Sequence, residues 1–107
     1  MILTVTLNPS LDEWTFLSAL RVGALNRAHA FARYPGGKGI NVSRVIHELR
    51  GRTTAVALAG GDDGAILGRL LAQQRIPYQF VTVPGSTRNN YQIQTTAPRA
   101  LTQVNTC

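Results

Sequence analysis

Pro35-Gly36-Gly37-Lys38-Gly39-Ile40-Asn41-Val42-Ser43-Arg44-Val45-Ile46-His47-Glu48-Leu49-Arg50 is a glycine-rich turn running directly into a helical repeat. The apolar residues Val42, Val45, Ile46 and Leu49 fall at i, i+3, i+4 and i+7, with Arg44, His47, Glu48 and Arg50 in the remaining places. This spacing predicts an amphipathic helix over Ile40 to Arg50. On either side the period changes. Ile2 to Leu7 alternates apolar residues with Thr4 and Thr6 until Asn8-Pro9 stops it, as a first strand should, since Pro9 cannot donate to a sheet ladder. Thr54 to Ala59 is a run of small apolar residues ending at Gly60-Gly61, the pattern of a strand covered on both faces. Asp62 or Asp63 then caps a second helix, Ala65 to Arg75, with the stripe Ile66, Leu67, Leu70 and Leu71, and Pro77 ends it. Tyr78 to Val83 reads as a third strand. Strand, helix, strand, helix, strand is the order of an α/β fold whose parallel sheet is joined by right-handed crossover helices.

Two segments stand outside this alternation. Trp14 to Leu17 and Ala28 to Tyr34 read as strands within residues 13 to 34. Tyr91 to Thr95 and Leu101 to Asn105 form a hairpin-like pair around Pro98, within a tail beginning near Arg88. Together they predict a small sheet projecting from the main one. At 107 residues the chain has material for one modest core, and a three-stranded parallel sheet with two crossover helices leaves an edge strand unpaired and one face thinly covered. In such a sheet, ligands gather outside the carboxyl ends of the strands. Topology therefore puts Asn8 to Asp12, Pro35 to Asn41 and Gly60 to Asp63 along one rim.

Ten arginines and a single lysine against five acids give a net charge of +6, which favours anionic partners. The arginines are scattered from Arg21 to Arg99 without a run, so a small anionic ligand ranks above nucleic acid. The sole cysteine, Cys107, allows neither a disulfide framework nor a clustered thiolate metal site within one chain. Met1 leads straight into the first strand, and no apolar stretch has the length of a signal or a membrane span, so the expectation is a cytoplasmic protein without a membrane partner.

The chemistry-bearing residues cluster in three places. Asp12 offers a carboxylate that can accept from two adjacent ligand hydroxyls; alone, it reads more readily as a turn aspartate. Gly36 and Gly37 let main-chain N–H groups approach a ligand, Lys38 adds a mobile cation, and Asn41 brings both a donor and an acceptor. This turn is no nucleoside triphosphate loop, because Ala32 stands where the first glycine is needed and Gly39 where Ser or Thr would hold magnesium. Thr87-Arg88-Asn89-Asn90 supplies a guanidinium fork able to hold a phosphate through two bonds. Gly60 to Gly64 is accounted for by a tight turn and a helix cap, His29 and His47 have no metal-ligand spacing, and Trp14 and Tyr34 read as packing residues.

Asn8-Pro9-Ser10-Leu11-Asp12, Gly36-Gly37-Lys38-Gly39-Ile40-Asn41-Val42 and Thr87-Arg88-Asn89-Asn90, in that order and spacing, resemble the amino-terminal part of the PfkB (ribokinase-like) carbohydrate kinases. Within them, the resemblance is greatest to the 1-phosphofructokinase and tagatose-6-phosphate kinase branch. It spans essentially residues 1–107, which would form the amino-terminal part of one kinase domain. It implies a ribokinase-like sheet with a projecting β-sheet lid, built from segments of about 13–34 and 88–107, which excludes water. The implied reaction moves a phosphoryl group from ATP, with Mg2+, to a ketose phosphate, fructose 1-phosphate foremost, with tagatose 6-phosphate and fructose 6-phosphate as alternatives. Asp12, Gly36, Gly37, Lys38 and Asn41 would hold sugar hydroxyls, and Arg88, with Lys38 and Asn90, the phosphate already present. A homodimer through the lid is implied as well. The family's catalytic base, an aspartate in a Gly-Ala-Gly-Asp element, does not occur here, and neither does its ATP site, so the chain reads as a fragment inactive alone. Two other readings stay open: a non-catalytic module that binds sugar phosphates, and a structural remnant that binds nothing.

Overall fold

A computed structural model describes residues 1–106; Cys107, and with it the thiol considered above, lies outside the described residues. The chain forms β1 (Ile2–Thr6), β2 (Ser10–Leu17), β3 (Ala30–Gly36), α1 (Lys38–Glu48), β4 (Thr53–Ala59), α2 (Gly61–Gln73), β5 (Tyr78–Thr82), β6 (Arg88–Thr96) and β7 (Arg99–Asn105). The expected α/β order is present. β1, β4 and β5 make a parallel sheet in that order, with Val5 opposite Val56 and Leu58 opposite Val81. A second sheet has the order β3-β2-β6-β7. Its outer pairs are antiparallel, and β2 and β6 run parallel at its centre.

Each crossover from β1 to β4 to β5 steps the same way across the sheet, and right-handed connections then put both helices on one face. Ile40 of α1 and Leu67 and Leu71 of α2 accordingly share one core with Ala55 and Ala57 of β4, joined by Leu11 and Ile76. The expectation that Thr54 to Ala59 is covered on both faces is therefore corrected. Burial alternates along β4, with Thr53, Ala55, Ala57 and Ala59 inside while Thr54, Val56 and Leu58 are half-buried. Beside them on the open face, Leu3 (63% exposed), Val5 (64%) and Val81 (54%) form an apolar surface bordered by β1, an edge strand. Such a surface with an unpaired edge favours association. We expect the double variant Leu3→Lys/Val81→Lys to shift the chain toward monomer in sedimentation velocity, with its far-UV circular dichroism preserved.

The helices also differ from expectation in where they start and which way they face. α1 begins at Lys38 rather than Ile40, and it buries Ile40 and Ser43 while Val42, Val45 and Leu49 are exposed. Three of the four residues of the predicted apolar stripe are thus turned outward, with Ile46 half-buried, because the sheet beneath α1 offers hydroxyls. Ser43 Oγ bonds Thr4 Oγ1 (2.6 Å) and Thr53 Oγ1 (2.8 Å), and Thr53 Oγ1 donates to the Ile2 carbonyl. Neither Asp62 nor Asp63 caps α2. Gly60 is its N-cap without a side-chain bond, the two aspartates sit in its first turn, and the helix ends at Gln73, before Arg75 turns to a φ of 58°.

Candidate functional site

β2 starts at Ser10, four residues before the predicted strand, so Asp12 lies in a strand and not in the loop after β1. Ser10 is paired with Gly36 of β3 and Arg88 of β6, and Asp12 with Tyr34 and Asn90. Residues i and i+2 of a strand share a face, so Leu11 enters the core while Ser10 and Asp12 face the other way. Ser10 Oγ donates to Asp12 Oδ1 at 2.9 Å, and Asn90 Nδ2 donates to the same oxygen at 3.4 Å. Asp12 Oδ2 lies over Gly36, 2.5 Å from where a β-carbon at that position would stand. A bare α-carbon at Gly36 is what allows the carboxylate to lie there.

Lys38 and Arg88 meet in a cleft of about 360 Å³ lined also by Val5, Thr6, Leu7, Asn8 and Gly39. One guanidinium nitrogen of Arg88 donates to the Asn8 carbonyl at 3.2 Å, and its Nε is buried without a partner among the described residues. Among the described residues the one ion pair is Arg33 with Glu13, at 2.9 Å, so no carboxylate neutralises Lys38 or Arg88.

The two helix N-termini differ in sign. The first turn of α2 carries Asp62 and Asp63, which suit the positive end of the helix dipole. The first turn of α1 has no acid and starts with Lys38, placing a cation where the dipole is already positive. An anion bound at α1 would relieve that mismatch. At α2 the aspartates already do so, and Asp63 Oδ2 accepts from Asn89 Nδ2 at 2.9 Å. Gly60 to Asp63 therefore ties the root of the second sheet to α2; the Gly60 N–H also donates to Thr87 Oγ1 and the Thr87 N–H to the Gly60 carbonyl.

The predicted site residues thus fall into two neighbouring groups. Asp12, Gly36 and Asn90 meet at the root of the second sheet, and Lys38 and Arg88 in the cleft, with Gly37 between them packed on Thr6 and Pro9. Asn41 is apart: it is exposed and its Oδ1 accepts from the Arg44 guanidinium. Tyr34, read as a packing residue, is 44% exposed, whereas Trp14 stacks on Phe16 with ring centroids 6.2 Å apart. Sequence reasoning passed over Ser10, whose i, i+2 spacing to Asp12 in a strand was the available signal, and Thr6 and Asn8. Among the described residues no three His, Cys, Asp or Glu side chains group closely enough to hold a metal ion.

A parallel α/β sheet carries a second, projecting β-sheet, and where the two meet the described residues gather polar groups and two cations without a carboxylate partner, an arrangement suited to an anionic ligand. The chain belongs to the pfkB family of carbohydrate kinases, which it matches over residues 5–107. It is 40% identical over 95 residues to the 1-phosphofructokinase of Bacillus subtilis, covering 89% of this chain and 31% of that protein. A crystal structure of a phosphofructokinase-like protein from Staphylococcus aureus superimposes with a TM-score of 0.88 at 40% identity, covering 99% of this chain and 34% of the other. The phosphofructokinase-2 of Escherichia coli, solved in complex with fructose-6-phosphate, gives 0.89 at 37%, covering 95% and 34%. A tetrameric inhibited form of that protein is also known. The chain spans about a third of the length of these relatives.

Proposed function

We propose that this chain supplies the acceptor-sugar half of a ketose-phosphate kinase, with fructose 1-phosphate as the substrate and fructose 1,6-bisphosphate as the product. The observation that carries this reading is the cleft lined by Lys38 and Arg88, which have no carboxylate partner among the described residues, with Asp12 two residues further along the strand that pairs with Arg88. Two cations and helix dipole charge suit a phosphate. Asp12, with its second oxygen left to accept, suits sugar hydroxyls, which Gly36 and Gly37 would help to hold; Asn90, expected at the phosphate, sits with Asp12 and is assigned to the sugar instead, and Asn41 would join by releasing the Arg44 guanidinium. The lid would exclude water, so that the sugar takes the phosphoryl group instead.

ATP with Mg2+ would supply that phosphoryl group. The described residues form neither a magnesium ligand set nor a triphosphate cradle, and contain no Gly-Ala-Gly-Asp element. We therefore place nucleotide, metal and base in the part of the family's length that this chain does not span, and read residues 1–107 as a portion of one kinase domain that is inactive alone. A cytoplasmic setting and a homodimer through the lid belong to the same reading. Phe31 (58% exposed) and Val104 (52%) on the lid's two edge strands offer apolar contact for the latter. Fructose 6-phosphate is the second candidate, since the relative from Escherichia coli binds it.

Lys38 is the only lysine, which makes the test direct. Saturating fructose 1-phosphate is expected to protect its amine from acylation at least severalfold, measured by peptide mass spectrometry with the α-amino group as internal reference. Equal labelling with and without the sugar phosphate would remove the site. Protection by fructose 6-phosphate at lower concentration would reassign the substrate.

A further inference from the structure

Gly37, the N-cap of α1, has a φ of 123° and no side chain to cap the helix. An N-cap oxygen ordinarily accepts from the backbone N–H two or three residues on. Here that oxygen comes from a strand 34 residues away in sequence: Thr6 Oγ1 accepts from the Ile40 N–H at 3.0 Å, inside the protein. Thr6 is 5% exposed and is the last residue of β1. Its side chain also sets the turn's path. A β-carbon at Gly37 would stand 2.6 Å from Thr6 Cγ2, and one at Gly39 would stand 2.5 Å from Thr6 Oγ1. One threonine thus contacts the turn on both sides of Lys38.

We infer that Thr6 is a positioning residue for the anion-binding turn, acting through Gly37, Gly39 and Ile40 rather than by touching the ligand's reacting atoms; this rests on the proposed function. The backbone bonds explain what the hydroxyl achieves. The Asn41 N–H donates to the Gly37 carbonyl and the Ile40 N–H to Thr6, which leaves the N–H groups of Lys38 and Gly39, beside the lysine ammonium, for an anion. Without the hydroxyl, the Ile40 N–H becomes a third donor without a partner, and the turn loses the contact that fixes its distance from β1.

Thr4 provides the control. It lies on the same face of the same strand, is 7% exposed, and bonds Ser43 in the middle of α1, away from the turn. In calorimetric titrations of the 107-residue chain, Thr6→Val is expected to weaken fructose 1-phosphate binding about tenfold or more, a loss of one buried hydrogen bond. Thr6→Ser should restore it to within about threefold of the original, since the hydroxyl returns. Thr4→Val should lower the urea midpoint as Thr6→Val does while leaving affinity unchanged. In hydrogen exchange, the Ile40 amide should open faster in Thr6→Val and not in Thr4→Val; Thr6→Ala serves if the valine variant does not fold. Unchanged affinity in Thr6→Val, or equal losses in Thr4→Val and Thr6→Val, would overturn the assignment. If the unaltered chain binds no sugar phosphate, the functional reading fails, and the Ile40 exchange rate alone decides whether Thr6 holds the turn.

Discussion

Arg88→Ala is expected to weaken binding of fructose 1-phosphate by roughly 10- to 150-fold, the factor corresponding to loss of charged hydrogen bonds of about 1.5–3 kcal/mol. Binding of inorganic phosphate should fall by a similar factor, because the proposed site gives the guanidinium to the phosphate and not to the sugar. The fold should persist. Among the described residues the Arg88 side chain makes one hydrogen bond, to the Asn8 carbonyl, and β6 is anchored independently through Thr87 on Gly60 and Asn89 on Asp63. The Nε atom, buried without a partner in the chain as it stands, is no longer stranded once the side chain is removed. Arg88→Lys should recover part of the affinity but not all of it, since an ammonium restores the charge without the two-pronged geometry. Arg99→Ala, at the exposed start of β7, is the matched loss of charge and should leave binding unchanged. Calorimetric titration of the four chains at one salt concentration makes the comparison. Equal affinities for Arg88→Ala and Arg99→Ala would mean that the cleft does not hold the phosphate.

The sequence made the order of strands and helices legible because each element has its own period and its own stop: Pro9 after β1, Gly60-Gly61 after β4, Pro84-Gly85 after β5. The second sheet was legible for the same reason, with β6 and β7 found on either side of Pro98. That Asn8 to Asp12 and Pro35 to Asn41 share one rim followed from the topology of a parallel sheet before any side chain was placed, whereas the meeting of Arg88 with Lys38 did not. The shared rim needed only the strand order.

What escaped depends on partners distant in sequence. The outward turn of Val42, Val45 and Leu49 could not be read from α1, because periodicity reports that a helix has an apolar stripe and not what the neighbouring sheet offers it. β1 and β4 present Thr4, Thr6 and Thr53 beside Ala55 and Ala57, a surface of hydroxyls and small groups that fits Gly39 and Ser43. The start of β2 was missed because Asn8-Pro9-Ser10 looks like a turn. Ser10 to Asp12 become a strand only by pairing on both sides, with 34–36 and 88–90. Pro35 within β3 was hidden for a related reason: β3 is an edge strand, where a missing N–H donor is tolerated. The aspartates of α2 were assigned to the cap on propensity, but Gly60 and Gly61 lie so close to Val83, Gly85 and Ser86 that the chain can carry no side chain there.

Gly36→Ala tests the other half of the site, and its expected effect separates from that of Arg88→Ala. Gly36 is buried and its backbone is ordinary strand, so strain in φ plays no part. What forbids a methyl group is the carboxylate together with the serine hydroxyl bonded to it: the new β-carbon would stand 2.5 Å from Asp12 Oδ2, 2.6 Å from Oδ1 and 2.5 Å from Ser10 Oγ. Both side chains are short, they are bonded to each other, and Ser10 is 1% exposed, so neither can swing clear without breaking the Ser10–Asp12 bond. Overpacking of this kind costs about 1–3 kcal/mol in stability, while Leu11, one residue away, still holds the strand in the core. Fructose 1-phosphate should therefore bind at least about tenfold more weakly, as expected for loss of hydrogen bonds to a charged group. Inorganic phosphate, which the proposed site assigns to Lys38 and Arg88, should bind as before. A cycle with Asp12→Ala sharpens the result. With the carboxylate removed, Ser10 Oγ is the one close atom left and no longer has Asp12 to bond, so it can rotate away from the methyl group, and Gly36→Ala should cost little further affinity in the Asp12→Ala background. If the two losses add instead, Gly36 does not act through Asp12, and the carboxylate is not what the bare α-carbon accommodates.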